Sequence, residues 1–131
     1  VSYNLTDEQV MTALGNVVAE NPDKVYKLPK RMEIFDGDTS CYYVHTKEDG
    51  SQEAGCIVGQ VLHRLGVPLE DLKASEGWRS NHVIERLEIQ GLSERVTELL
   101  RRIQIEQDKG WSWGRAYAAE TKNSVPALEK A

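Results

Sequence analysis

The sequence predicts an α+β domain that is mainly helical, with about five helices and a small antiparallel β element. Three observations lead there. Apolar residues recur at helical spacing in several segments, each bounded by a capping residue or a stop. The run Cys41-Tyr42-Tyr43-Val44-His45 is β-prone and is followed by a polar turn at Asp49-Gly50. With 131 residues, 40% of them hydrophobic, the chain can fill one modest core. Residues 1–120 therefore read as a single globular domain and 121–131, which lack periodicity, as a flexible C-terminal tail.

The first helix spans 7–20. Thr6 is placed to cap it, Gln9 to close a capping box, and Leu5 and Val10 to staple the entry. Val10, Ala13, Leu14, Val17 and Val18 form its apolar stripe, and Asn21-Pro22 stops it. Residues 23–40 are less regular. Val25 to Leu28 and Met32 to Phe35 read as short strands, and Asp36-Gly37-Asp38 as a turn. Those carboxylates begin like a calcium loop, but Cys41 and Tyr43 fall where oxygen ligands are required and no closing Glu follows. A strand over 41–45 places Cys41, Tyr43 and His45 on one face. Its turn returns the chain to Gly55, making strand and following helix neighbours.

That helix is the densest apolar run of the chain. Ile57, Val58, Val61, Leu62 and Leu65 gather on one side; Cys56, Gly59, Gln60, His63 and Arg64 lie on the other. A buried strand competes for the segment, since Cys56 to Leu62 holds three β-branched residues, but the i, i+4, i+8 series and Gly66-Pro68 favour a helix. Gly59 leaves room for another segment to approach closely. One or two helical turns follow over 68–74. Ser80 or Asn81 caps a helix to about Gln90 with Gly91 at C′. Ser93 opens the longest helix, 94–109, whose face of Val96, Leu99, Leu100 and Ile103 extends to Gln107. Ser112 caps a last helix containing Trp113, Ala116 and Tyr117.

Chemistry has two candidate centres. Cys56 in the first helical turn is a candidate thiol nucleophile, because a helix N-terminus lowers a thiol pKa. Its base is His45, arriving from the adjacent strand; His63 lies about 10 Å further along the same helix. Gln60 or Gln107 is then the orienter or oxyanion donor. Against this stands the plain reading of Cys56 as a small buried hydrophobe. Cys41, His45, Cys56 and His63 also supply four metal-ligand types, but their spacing matches no compact zinc motif, and no metal or cofactor is expected. The second centre is a binding surface. Trp111, Trp113 and Tyr117 are candidate anchors for a protein partner, with closure of the core as the competing role. Arg101 and Arg102, with Arg64 and Arg79 elsewhere, are candidates for a phosphate patch, set against solvated surface.

Sixteen basic against 21 acidic residues give a net charge of −5 with no basic block, which disfavours a broad nucleic-acid surface. No run approaches a membrane span. The two cysteines, with no signal segment in view, point to free thiols in a reducing cytoplasm, although a Cys41–Cys56 bridge is compatible with the sequence. Neither the partner nor the oligomeric state is specified.

Tyr43-Val44-His45, Gly55-Cys56-Ile57-Val58-Gly59 with Leu62-His63-Arg64-Leu65-Gly66, and Gln104, Gln107-Asp108, Gly110 and Trp113-Gly114 together carry a resemblance. In these segments, about a third of the chain, it resembles a group of small uncharacterised proteins from actinobacteria and their phages. The resemblance implies a phage or host accessory protein and brings no established active site; with the candidate binding surface, the chain reads as an accessory protein acting by protein–protein interaction. A cysteine-dependent enzyme is the alternative.

Overall fold

The computed structural model describes residues 3–27, 42–76 and 79–122. Among these the chain forms six helices: α1 (Asp7–Glu20), α2 (Ile57–Arg64), α3 (Leu69–Lys73), α4 (Ser80–Arg86), α5 (Glu94–Asp108) and α6 (Trp113–Thr121). Four short strands accompany them: β1 (Tyr3–Asn4), β2 (Val44–Thr46), β3 (Gln52–Ala54) and β4 (Ile89–Gln90). The protein is therefore α+β and mainly helical. None of the described helices is long and apolar enough to cross a membrane.

Local chemistry sets the helix ends. The Thr6 hydroxyl accepts from the Gln9 amide and the Gln9 side chain accepts from the Thr6 amide, completing the capping box. Ser93 and Ser112 cap α5 and α6 by accepting from Val96 and Arg115. Long-range bonds join these ends, as Asp7 Oδ1 accepts from the Ser93 amide, tying the start of α1 to the start of α5.

The stripes meet in one core. Val10, Leu14, Val17 and Val18 of α1, Ile57, Val58, Val61 and Leu62 of α2, and Val96, Leu100 and Ile103 of α5 are all essentially inaccessible. Trp113 and Ala116 of α6, Leu72 of α3 and Val83 of α4 complete it. Helix α2 packs between α1 and α5, and α5 is flanked by α4 and α6.

The small strands depart from expectation in three ways. The hairpin pairs β2 with β3 antiparallel, Val44 opposite Ala54 and Thr46 opposite Gln52, so the first strand sits later than 41–45. The Tyr43 amide donates to Glu76, while its carbonyl still accepts from Gly55 opposite, so a single bond of the ladder continues past β2. A second pair was not expected: β1 runs parallel to β4, Tyr3 beside Ile89. Consequently the helix expected to reach residue 90 ends at Arg86, where Glu88 turns the chain with φ of 54°. Gly91, at φ 99°, follows β4, and a Cβ there would strike the Leu5 carbonyl. Of the strand expected over Val25 to Leu28, the described residues 25–27 form an isolated bridge from Val25 to Ser112, and Leu28 lies outside the described residues. The segment expected over 32–35, the turn at 36–38 and Cys41 lie outside the described residues. At the other end α6 continues through Thr121, into the stretch expected as tail.

Candidate functional site

The catalytic candidates lie where the hairpin feeds into α2. Amides of Gly55 and Cys56 donate to the carbonyls of Tyr43 and Tyr42, at 2.8 and 3.0 Å, so the start of α2 is stitched to the strand before it. Gly59, one turn into the helix, faces the Tyr43 backbone, the close approach its missing side chain allows. His45 does reach this junction, since a Cβ at Gly55 would lie 2.5 Å from its Nε2. Strand, helix entry and His45 are thus neighbours, as the sequence implies.

Their polar atoms are committed to structure. Cys56 is fully buried and disulfide-bonded. Its sulfur is therefore no free thiol, which corrects the expectation of a reduced nucleophile; the chain's other cysteine, Cys41, lies outside the described residues. Gln107 reaches across from α5 and accepts from the Ile57 amide at 2.9 Å, filling one of the orphan donors at the start of α2. Its own amide group donates to Asp108 Oδ1 at 3.0 Å. His45 Nε2 lies 2.9 Å from the Tyr26 hydroxyl, which also accepts from the Tyr42 amide. Burial, with Lys24 nearby, pushes His45 down to about 4, so the ring is neutral near pH 7. Gln60 donates to the Gly55 carbonyl. His63 is exposed and its Nδ1 pairs with the Val67 carbonyl, so it is not drawn toward Cys56. Among the described residues no group of three or more His, Cys, Asp and Glu converges as metal ligands do.

Two further members of this network, Glu76 and Gln104, are given no role by the sequence. Glu76 Oε1 accepts from the Tyr43 amide at 2.6 Å, and burial pushes its carboxyl up to about 7. Gln104, one turn before Gln107, donates to the Tyr43 hydroxyl at 3.0 Å and accepts from the Ser80 amide at 2.9 Å. Its partners are 61 and 24 residues away in sequence, beyond any local pattern. Spacing alone did place Gln104 one turn from Gln107 on α5, so a buried glutamine pair was the one available clue.

Because Gln107 holds a buried amide, Gln107→Leu is expected to destabilise the fold by about 1–3 kcal/mol, the cost of an unpaired buried donor. Gln107→Glu, which retains an acceptor, is expected to recover part of that loss. Urea unfolding of the three proteins checks it; equal stability of parent and Gln107→Leu would remove Gln107 from this role.

The aromatic candidates separate. Trp113 is fully buried and Tyr117 is 8% exposed, so both close the core and neither is available as a surface anchor. Trp111 is half-buried, and the Arg115 guanidinium lies 3.9 Å from its ring centre. Lys24 Nζ stands 4.7 Å from the Trp113 ring centre. Val25, bridged to Ser112, is the one large apolar side chain counted as exposed among the described residues, at 43%. Of the four candidate phosphate-patch residues, Arg101 and Arg102 pair with Glu98 and Arg64 pairs with Glu20, while Arg79 is exposed at the start of α4. A groove of about 380 Å³ between α1 and the end of α2 is lined by Thr6, Gln9, Asn16 and Arg64. Two of these form the capping box and Arg64 is held by Glu20.

In comparisons with known proteins, no protein family, no curated protein and no solved structure matches this chain.

Proposed function

We propose that this chain is an accessory protein, of phage or host origin, that acts by binding another protein and not by catalysis. One observation carries the reading: every polar residue of the candidate catalytic constellation is occupied in holding the fold. Cys56 is in a disulfide, Gln107 caps α2 and neutral His45 pairs with Tyr26. A thiol mechanism needs a thiolate and a base that can take up its proton. The resemblance to small phage and actinobacterial proteins points the same way. Binding is supported by the corner where Trp111, Arg115 and Val25 sit together, since half-exposed indole and guanidinium groups are frequent anchors at interfaces.

The test is site-specific photo-crosslinking in the cells that carry the gene. A crosslinker replacing Trp111 is expected to trap one discrete protein, and the same group replacing the exposed Glu70 on α3 is expected not to. Turnover of an ester or amide substrate that is lost in Cys56→Ala, with the fold retained, would overturn the reading.

A further inference from the structure

Six cations among the described residues differ in what they meet. Arg64, Arg101, Arg102 and Lys47 each meet a carboxylate: Glu20 for the first, Glu98 for the next two, Glu53 for the last. Lys24 and Arg115 do not. Each lies over an indole ring, and neither has a carboxylate within ion-pair distance among the described residues. Both are exposed.

These two are also brought to one place. The Trp113 amide donates to the Lys24 carbonyl at 2.9 Å and the Gly114 amide to the Pro22 carbonyl at 2.7 Å. Val25 bridges Ser112, so the segment 22–27 runs beside 109–115. Together these segments carry Lys24, Lys27, Lys109 and Arg115 against the single carboxylate of Asp23. Lys109 also faces Glu106, whose carboxyl shares a hydrogen bond with Glu120, and the carboxylates of Asp108 and Glu53 act on neighbouring Tyr26 and His45. A chain of net charge −5 thus presents a compact cationic corner, with Trp111 and exposed Val25 set into it.

We infer that this corner docks an acidic protein segment, its carboxylates on Lys24 and Arg115 and an apolar side chain against Val25 and Trp111. This deepens the proposed binding role and rests on it. A guanidinium over an indole ring can still donate to a carboxylate, and Arg115 lies 3.9 Å from the Trp111 ring centre with no carboxylate in ion-pair reach among the described residues. The charge contrast favours a protein segment over nucleic acid. A polynucleotide would lay phosphates across the acidic remainder of the surface, whereas a short acidic segment need cover only the corner.

The experiment is fluorescence anisotropy of a labelled oligoglutamate peptide with the intact protein, beside labelled oligothymidylate and oligolysine. Oligoglutamate is expected to bind and to weaken with added salt. Lys24→Gln and Arg115→Gln are each expected to reduce affinity about threefold to fivefold, the scale of an exposed ion pair. Lys73→Gln, on α3, is expected to leave it unchanged. All three side chains are exposed, so folding is expected to be retained. Absence of oligoglutamate binding at low salt, equal loss in Lys73→Gln, or tighter binding of oligothymidylate would each overturn the inference. A partner crosslinked at residue 111 through a neutral segment would defeat the acidic-segment inference and leave the binding role standing.

Discussion

Gly59→Ala is expected to destabilise the protein by about 2–3 kcal/mol, the cost of overpacking a tight interior site. Helix propensity alone gives the opposite sign, since alanine is favoured over glycine in a helix by about 1 kcal/mol. The reversal comes from what lies opposite. A Cβ on Gly59 would stand 2.5 Å from the Tyr43 carbonyl oxygen and 3.0 Å from its Cα. Both are backbone atoms, so no rotamer change relieves the clash. Nor can Tyr43 move alone: its amide is held by Glu76, its carbonyl by Gly55 and its hydroxyl by Gln104. The substitution must therefore pull α2 away from the hairpin or break one of those bonds. Urea unfolding is the measurement, with a lower midpoint and an unchanged slope expected. A Gly59→Ala protein as stable as its parent would show that this contact gives way at no cost.

That contact also shows how far the sequence was readable. Glycine inside an otherwise apolar helix at least marks a close approach, and Gly59 was legible in that sense; the identity of the approaching segment was not. The helices followed from local rules, because a capping box at Thr6 and serine caps at Ser93 and Ser112 act within a few residues. The parallel pair of β1 with β4 was invisible, since strands of two residues each carry no period and their pairing spans most of the chain. The site suffered from the same limit. Cys56, His45 and Gln107 all stand about the entry to α2, but their roles depend on partners supplied from afar: Tyr26 for His45 and the Ile57 amide for Gln107. Residue type gives chemical capacity, and only the three-dimensional neighbour decides whether it is used for a reaction or for packing. At Trp111 and Trp113, two positions apart, the chain settles the matter differently. Trp113 enters the core as the first residue of α6, while Trp111 precedes the cap and keeps a face toward solvent.

The same buried junction is expected to respond to pH in two opposed ways. His45 is held at about 4 in the fold, below the ordinary histidine value of 6.5. Its contribution is present above pH 6.5 and is lost as pH falls toward 4, because the unfolded chain takes up the proton first. The loss amounts to about 3 kcal/mol. Glu76 is held at about 7, above its ordinary 4.5. Its contribution is present below pH 4.5 and is lost as pH rises toward 7, since the folded carboxyl keeps a proton that the unfolded chain has released. Glu106, raised by burial and by neighbouring Glu120, acts in the same direction as Glu76. Between pH 4.5 and 6.5 the histidine opposes the two carboxyls, and the parent protein is expected to show a flatter stability profile than His45→Gln. His45→Gln removes the acid-side loss, so its stability relative to the parent is expected to improve by about 3 kcal/mol from pH 7 to pH 4. Glu76→Gln is expected to improve relative to the parent in the other direction, as pH rises from 4.5 to 7. Denaturation midpoints of the three proteins across this range provide the comparison. A difference between parent and His45→Gln that stays constant with pH would mean that His45 titrates alike in the folded and unfolded chain, and the neutral, Tyr26-paired imidazole would have to be abandoned.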